Sequence, residues 1–221
     1  MFHRRGKIAP DQLAAWKAEQ ARLRAGVVER PLGDVRLIAG ADCAFLGDDV
    51  LAAAVLWDVE TKTVVAEATV RRAVTVPYIP GYLGFREAPA VLEALGQLPR
   101  FDAVLCDGQG IAHPRRCGLA VHVGVTLGKP CVGVAKSRLL GDHDEPADTR
   151  GATAPLLHDG ERIGSVLRTR VKVKPLFVSV GQHVNLTAAC ALVMRCQTRY
   201  RLPEPTRLAD RLVARFKRDQ L

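Results

Sequence analysis

The chain has 221 residues, a net charge of +9, 48% hydrophobic and 25% charged residues. That is ordinary for a folded soluble protein, and the length suffices for one domain, 1–221, with a sizeable core. No apolar run reaches the roughly 18 residues of a membrane span, so no membrane partner is expected, and the basic surface suits a polyanion such as nucleic acid.

The basic start Met1-Phe2-His3-Arg4-Arg5-Gly6-Lys7 is followed by no apolar signal core, which predicts a cytoplasmic rather than a secreted protein. A helix is expected from Asp11 to Arg24, where Leu13, Trp16 and Leu23 recur among charges behind Pro10. Val35–Phe45, Val50–Val59 and Thr63–Arg72 read as three strands. Gly47-Asp48-Asp49 and Glu60-Thr61-Lys62 are short turns between them, so these strands must be antiparallel. Thr75 to Gly81 is a loop stiffened by Pro77 and Pro80. A helix from about Phe85 to Leu98 accommodates Pro89 only in its first turn, which would place Glu87 there too, near the positive end.

The run Phe101 to Cys106 reads as a short buried strand, with a helix over Leu119–Leu127 and a further strand over Cys131–Ala135. Gly141 to Pro155 is polar and reads as a mobile loop. Arg162–Val173 and Leu176–Val180 read as a hairpin turning near Lys174-Pro175. Its alternation would put Arg168, Arg170, Lys172 and Lys174 on one face, either to track phosphates or to protect an edge. Helices over Leu186–Tyr200 and Thr206–Lys217 follow. Cys43, Cys106, Cys117, Cys131, Cys190 and Cys196 form no C-x-x-C pair and read as reduced, mostly buried thiols. Three antiparallel strands, then strands alternating with helices, is the order expected of a ribonuclease H-like α/β fold, a mixed central sheet flanked by helices, although this order leaves other α/β sheets open.

The chemistry concentrates at strand ends. Asp107-Gly108-Gln109-Gly110 ends one apolar run, with His113-Pro114 just beyond, and Asp42 ends another, Val35 to Ala41. Carboxylates on rigid strands, with Glu87 at a helix start, are the raw material of a divalent-metal site. Taken singly, each reads better as a mere strand end or helix cap; the three together, with their glycine-rich context, favour the metal site. Lys136, after an apolar strand, reads on its own as a snorkelling surface lysine.

These motifs resemble the endonuclease V family over most of the chain. The resemblance rests on Gly40-Ala41-Asp42, Pro77-Tyr78-Ile79-Pro80-Gly81, Phe85-Arg86-Glu87, Asp107-Gly108-Gln109-Gly110 with His113-Pro114-Arg115, and Gly133-Val134-Ala135-Lys136-Ser137. It implies a monomeric enzyme that cuts DNA at the second phosphodiester 3′ to deoxyinosine with Mg2+, for which Mn2+ can substitute, leaving 3′-hydroxyl and 5′-phosphate. It also implies roles. Asp42, Glu87 and Asp107 match the metal carboxylates, with Asp210 near the metals, although Arg207 and Arg211 at helical spacing give Asp210 a surface ion-pair reading too. Lys136 matches a lysine beside the reacting phosphate, and His113 a contact to the nucleic-acid backbone. Pro77, Tyr78, Ile79 and Pro80 match a wedge that enters the duplex. Gly81, Leu83, Gly108, Gln109, Gly118, Leu119 and Leu139 fall where the family builds the pocket for the flipped base. Two rivals are a nuclease for inosine RNA or other structured nucleic acid, and a non-catalytic binder, for which clustered carboxylates would be no gain.

Overall fold

A computed structural model describes residues 8–221; the basic start at residues 1–7 lies outside the described residues. The expected meander is present as β1 (Leu37–Leu46), β2 (Asp49–Asp58) and β3 (Thr63–Ala73). β4 (Ala103–Cys106) and β5 (Cys131–Ala135) follow, and β6 (Thr153–His158), β7 (Glu161–Leu167) and β8 (Leu176–Gln182) complete the sheet. One eight-stranded sheet results, in the order β3-β2-β1-β4-β5-β8-β7-β6. β4 runs parallel to both β1 and β5, and the remaining neighbours are antiparallel. The helices are α1 (Pro10–Ala25), α2 (Leu83–Gly96), α3 (Leu119–Leu127), α4 (Leu186–Arg195) and α5 (Glu204–Arg218).

β2 is apolar on both faces because helices cover both. Val50, Ala52, Ala54 and Leu56 pack with Ala88, Val91 and Leu95 of α2. The alternate residues Leu51, Ala53 and Val55 meet Ala209, Leu212 and Val213 of α5. Burying a leucine such as Leu56 or Leu95 contributes about 1.5–3 kcal/mol. On the far side, α5 approaches β1 so closely that a Cβ on Gly40 would lie 2.1 Å from the Pro205 backbone. Gly40→Ala would therefore push away the helix that carries Asp210.

The sequence expectations fail where polar residues are buried or strands are interrupted. The segment after β7 is no strand. Arg168 is buried, and its guanidinium donates to Glu145 (2.5 Å), to the Pro146 carbonyl (3.1 Å) and to the Val173 carbonyl. Thr169, expected on the opposite face, is buried as well and donates to the Arg201 carbonyl (2.7 Å), and Lys172 has φ +60°. The four cations thus share no strand face. The same Arg168 contacts tie down the segment read as a mobile loop, and its end, Thr153–Pro155, belongs to β6. Pro155 fits there because β6 is an edge strand. α2 starts at Leu83, so Pro89 lies inside the helix and Glu87 lies beyond the first turn. α4 stops at Arg195, short of Tyr200.

Candidate active site

Register places the first two carboxylates. Asp102 Oδ2 accepts from the Arg36 and Leu37 amides, both at 2.9 Å, which ties the start of β1 to the residue before β4. β1 and β4 then pair from Ile38↔Ala103 to Ala41↔Cys106, and the Asp107 amide donates to the Ala41 carbonyl at 3.1 Å. Asp107 consequently follows the end of β4 beside Asp42, which is no strand end but lies inside β1, opposite Ala53 of β2. Asp210 arrives on α5, and a carboxylate oxygen from each of Asp42, Asp107 and Asp210 lies within 4.8 Å of the others. Glu87 faces the group from α2, close enough for Asp42 and Asp107 to shift its protonation.

The cluster is electrostatically costly. Burial, then the charge of Asp107, pushes the Asp42 carboxyl up to about 7, although the Cys43 amide donates to it at 2.8 Å. Burial, then Asp42 and Asp107, pushes Glu87 up to about 8. Burial also raises Asp107, against the pull of Lys136. Lys136 Nζ bridges Asp107 (2.5 Å) and Asp210 (2.9 Å). Burial works against its charge, yet the two carboxylates hold its pKa above the usual lysine range. Asp210 therefore pairs with Lys136, while Arg207 turns to Glu204 (2.5 Å), which sets aside the surface-pair reading.

A cavity of about 430 Å³ opens over these groups. Asp42, Glu87, Asp107 and Lys136 line it on one side. Tyr78, Pro80, Gly81 and Leu83 line it as well, with Gly108, Gln109, His113, Gly118, Leu119 and Leu139. Pro77, Ile79 and Asp210 are not among the lining residues. The 107–110 loop settles on β5 because Gly133 has no side chain; a Cβ there would lie 2.4 Å from the Gly110 amide nitrogen. Gln109 Nε2 donates to the Ser137 carbonyl (3.1 Å), joining the loops that follow β4 and β5. His113 is buried, and burial, then the Arg115 charge, holds its imidazole down to about 4. Its ring is therefore neutral near pH 7, and its Nδ1 accepts from the Arg115 amide (3.2 Å).

Sequence reasoning missed Gly84, Ala135, Ser137 and Arg138 as lining residues. Ala135, Ser137 and Arg138 flank Lys136, so adjacency was their available signal. Gly84 likewise follows Leu83, although its place at the wall depends on α2 beginning two residues early.

Carboxylates on adjacent parallel strands, one inside β1 and one just past β4, in a sheet of this order, define a ribonuclease H-like nuclease. The endonuclease V family model matches residues 20–211. An endonuclease V of Azotobacter vinelandii is 57% identical over 185 residues, covering 82% of this chain and 84% of its own. The crystal structure of endonuclease V from Streptomyces avermitilis superposes with a TM-score of 0.90 at 43% identity, covering 97% of this chain and 96% of that one. Endonuclease V of Ciona intestinalis, in complex with DNA containing an inosine followed by a ribo-adenosine, gives a TM-score of 0.85 at 26% identity, covering 97% of this chain and 100% of that one. The chain belongs to the endonuclease V family. It is thus a nuclease, a metal-dependent hydrolase of phosphodiester bonds in a DNA-repair family. Among the described residues no helix is long and apolar enough to cross a membrane.

Proposed function

We propose that the protein recognises deoxyinosine in DNA and hydrolyses the second phosphodiester 3′ to it, leaving a 3′-hydroxyl and a 5′-phosphate. The observation that carries this reading is one cavity lined both by Asp42, Glu87 and Asp107 and by Tyr78, Pro80, Gly81 and Leu83. A volume of about 430 Å³ admits an extruded base. The inosine-containing DNA bound by the Ciona relative supports the same substrate. We read the protein as a monomeric, single-domain cytoplasmic enzyme.

The donor set fits a hard divalent cation. Asp42 and Glu87 are raised to about 7 and 8 because like charges crowd a buried place, and oxygen ligands of this kind suit Mg2+. Asp42, Glu87, Asp107 and Asp210 would hold Mg2+, with Mn2+ as a substitute. When bound, the ion supplies Lewis acidity and a water of lowered pKa.

The protein's own groups do the rest. Lys136 offsets charge that builds on the phosphoryl oxygens. Tyr78, between Pro77 and Pro80 with Ile79, offers a flat face to the gap an extruded base leaves. Gly81, Gly108 and Gly118 let backbone groups reach the base edge, with Leu83, Leu119 and Leu139 as apolar walls and Gln109 as a polar one. Backbone groups matched to the hypoxanthine carbonyl and its adjacent N–H would reject adenine by leaving buried groups unpaired. His113 presents a neutral ring to the nucleic-acid backbone.

Inosine-containing RNA is a second reading, favoured by the ribo-adenosine that follows the inosine in the Ciona complex. The test is cleavage of end-labelled duplexes that differ only by one deoxyinosine, with Mg2+ and with chelator. A single Mg2+-dependent cut one bond beyond the lesion-adjacent phosphodiester is expected. Cleavage of inosine RNA or a flap without the deoxyinosine cut would overturn the substrate assignment.

A further inference from the structure

Gly81 hands the chain from the proline-stiffened segment to α2, and it has φ +81°. Its carbonyl accepts from Arg115 Nη2 at 2.6 Å and from Gln20 Nε2 at 2.9 Å. Gln20 Oε1 in turn accepts from Arg115 Nε at 2.5 Å. Three groups distant in sequence therefore close a ring of hydrogen bonds. The Arg115 guanidinium also lies 4.2 Å from the centroid of the Tyr82 ring, the residue after Gly81. Gln20 is a buried polar residue of α1, only 1% exposed. One turn earlier on α1, Trp16 stacks on Phe85 of α2, with centroids 5.4 Å apart. α1 thus braces the junction between wedge and helix from behind.

This ring bonds to the segment at the cavity wall, not to the carboxylates. We propose that Arg115 and Gln20 are positioning residues: they latch the Gly81 carbonyl, fix the Pro77–Pro80 segment in its working position, and so set how well an inosine duplex is engaged. The proposal rests on the reading that this segment enters the duplex. A wedge fixed beforehand loses little freedom on binding, whereas an unlatched one must be ordered by the substrate. A single strand needs no opening, so its cleavage depends little on the latch.

Two conservative substitutions separate latching from simple support. Gln20→Glu keeps an acceptor for Arg115 but replaces the donor to Gly81 with a carboxylate. Arg115→Lys keeps the charge but cannot span both partners with a planar fork. The experiment measures kcat and KM of the full chain, as wild type, each single variant and the double variant. The substrates are an inosine duplex, an inosine single strand and an undamaged duplex, and thermal melting is followed in parallel. On the inosine duplex each single variant should raise KM about 10- to 100-fold, the scale of losing a hydrogen bond that involves a charged group. The kcat and the single-strand kinetics should stay close to wild type. The double variant should be no worse than the worse single one, because the pair acts as a unit. Equal losses on duplex and single strand, as a merely structural role would give, overturn the latch. Unchanged duplex kinetics in both variants also overturn it. A wild type with no preference for the inosine duplex over the undamaged one refutes the functional reading, and the latch falls with it.

Discussion

The two sides of the cavity are held by different means. Asp42 lies within β1 and Asp107 just past β4, neighbouring parallel strands whose register is fixed by a ladder and by Asp102 at its start. Tyr78 and Pro80 sit on a segment with no ladder, stiffened by proline and held at its end by side chains from α1 and from the loop that carries Arg115. The carboxylates are largely covered, while Tyr78 is 54% exposed. The difference matches two tasks. Phosphodiester hydrolysis needs fixed spacing between charges, and lesion reading needs a surface that can meet a duplex. Substitutions on the strand side should therefore remove cutting, and substitutions on the loop side should change which substrate is cut.

The largest effect is expected on the strand side. Asp42→Ala or Asp107→Ala should leave less than about one hundredth of wild-type cleavage, since even the outer partners of metal ligands carry about 10- to 100-fold. Substantial cutting by both variants would remove these residues from the metal site. Lys136→Ala should follow, with a loss of about 100-fold in kcat, the scale of deleting one preorganised charge-stabilising donor. A change in KM alone would make Lys136 a binding group. On the loop side, Tyr78→Ala should cost about 10-fold on an inosine duplex, within the range of one aromatic–base stack, and less on single strands. Equal losses on both substrates would contradict the wedge.

The smallest effect is in stability. Asp42 and Glu87 retain protons up to about pH 7 and 8 in the fold, whereas the unfolded chain gives them up near ordinary carboxylate values. Over that range the folded state binds more protons, so metal-free stability falls as pH rises. His113 and His122, both held down to about 4, act in the opposite sense below their ordinary value of about 6.5. Between about pH 6.5 and 8 the carboxylates act without them. The melting temperature of metal-free protein should decline across that window. Added Mn2+ should stabilise more at pH 8 than at pH 6.5, because metal ligands must be deprotonated. A rising metal-free profile would contradict the crowded, buried cluster.

Much of this was legible in the sequence because the sheet core is strongly patterned. The apolar runs of β1, β2, β4 and β5 and the short turns around Gly47 and Lys62 give the meander and the alternation after it. Asp42, Glu87, Asp107 and Lys136 do meet at one cavity, and Asp210 joins the carboxylates without lining it. The failures have a common physical root, local features whose meaning is set by tertiary surroundings. The Arg168 alternation looks like a strand, but Glu145 and the carbonyls of Pro146 and Val173 make its burial affordable. β6 was hidden because Pro155 is tolerated only at an edge, and edges are set by tertiary order. The role of Gln20 could not be read from α1, where it stands among charged neighbours, because its partners, Gly81 and Arg115, lie far along the chain.

The most direct test of the division between the two sides is the affinity of Asp107→Asn for an inosine duplex and an otherwise identical adenine duplex, set beside its cleavage rate. That division predicts that cleavage is lost while preferential binding of the inosine duplex persists, because Tyr78, Gly81 and the rest of the wall are intact. Loss of that preference together with cleavage would show that the carboxylates themselves select the lesion, and would contradict it.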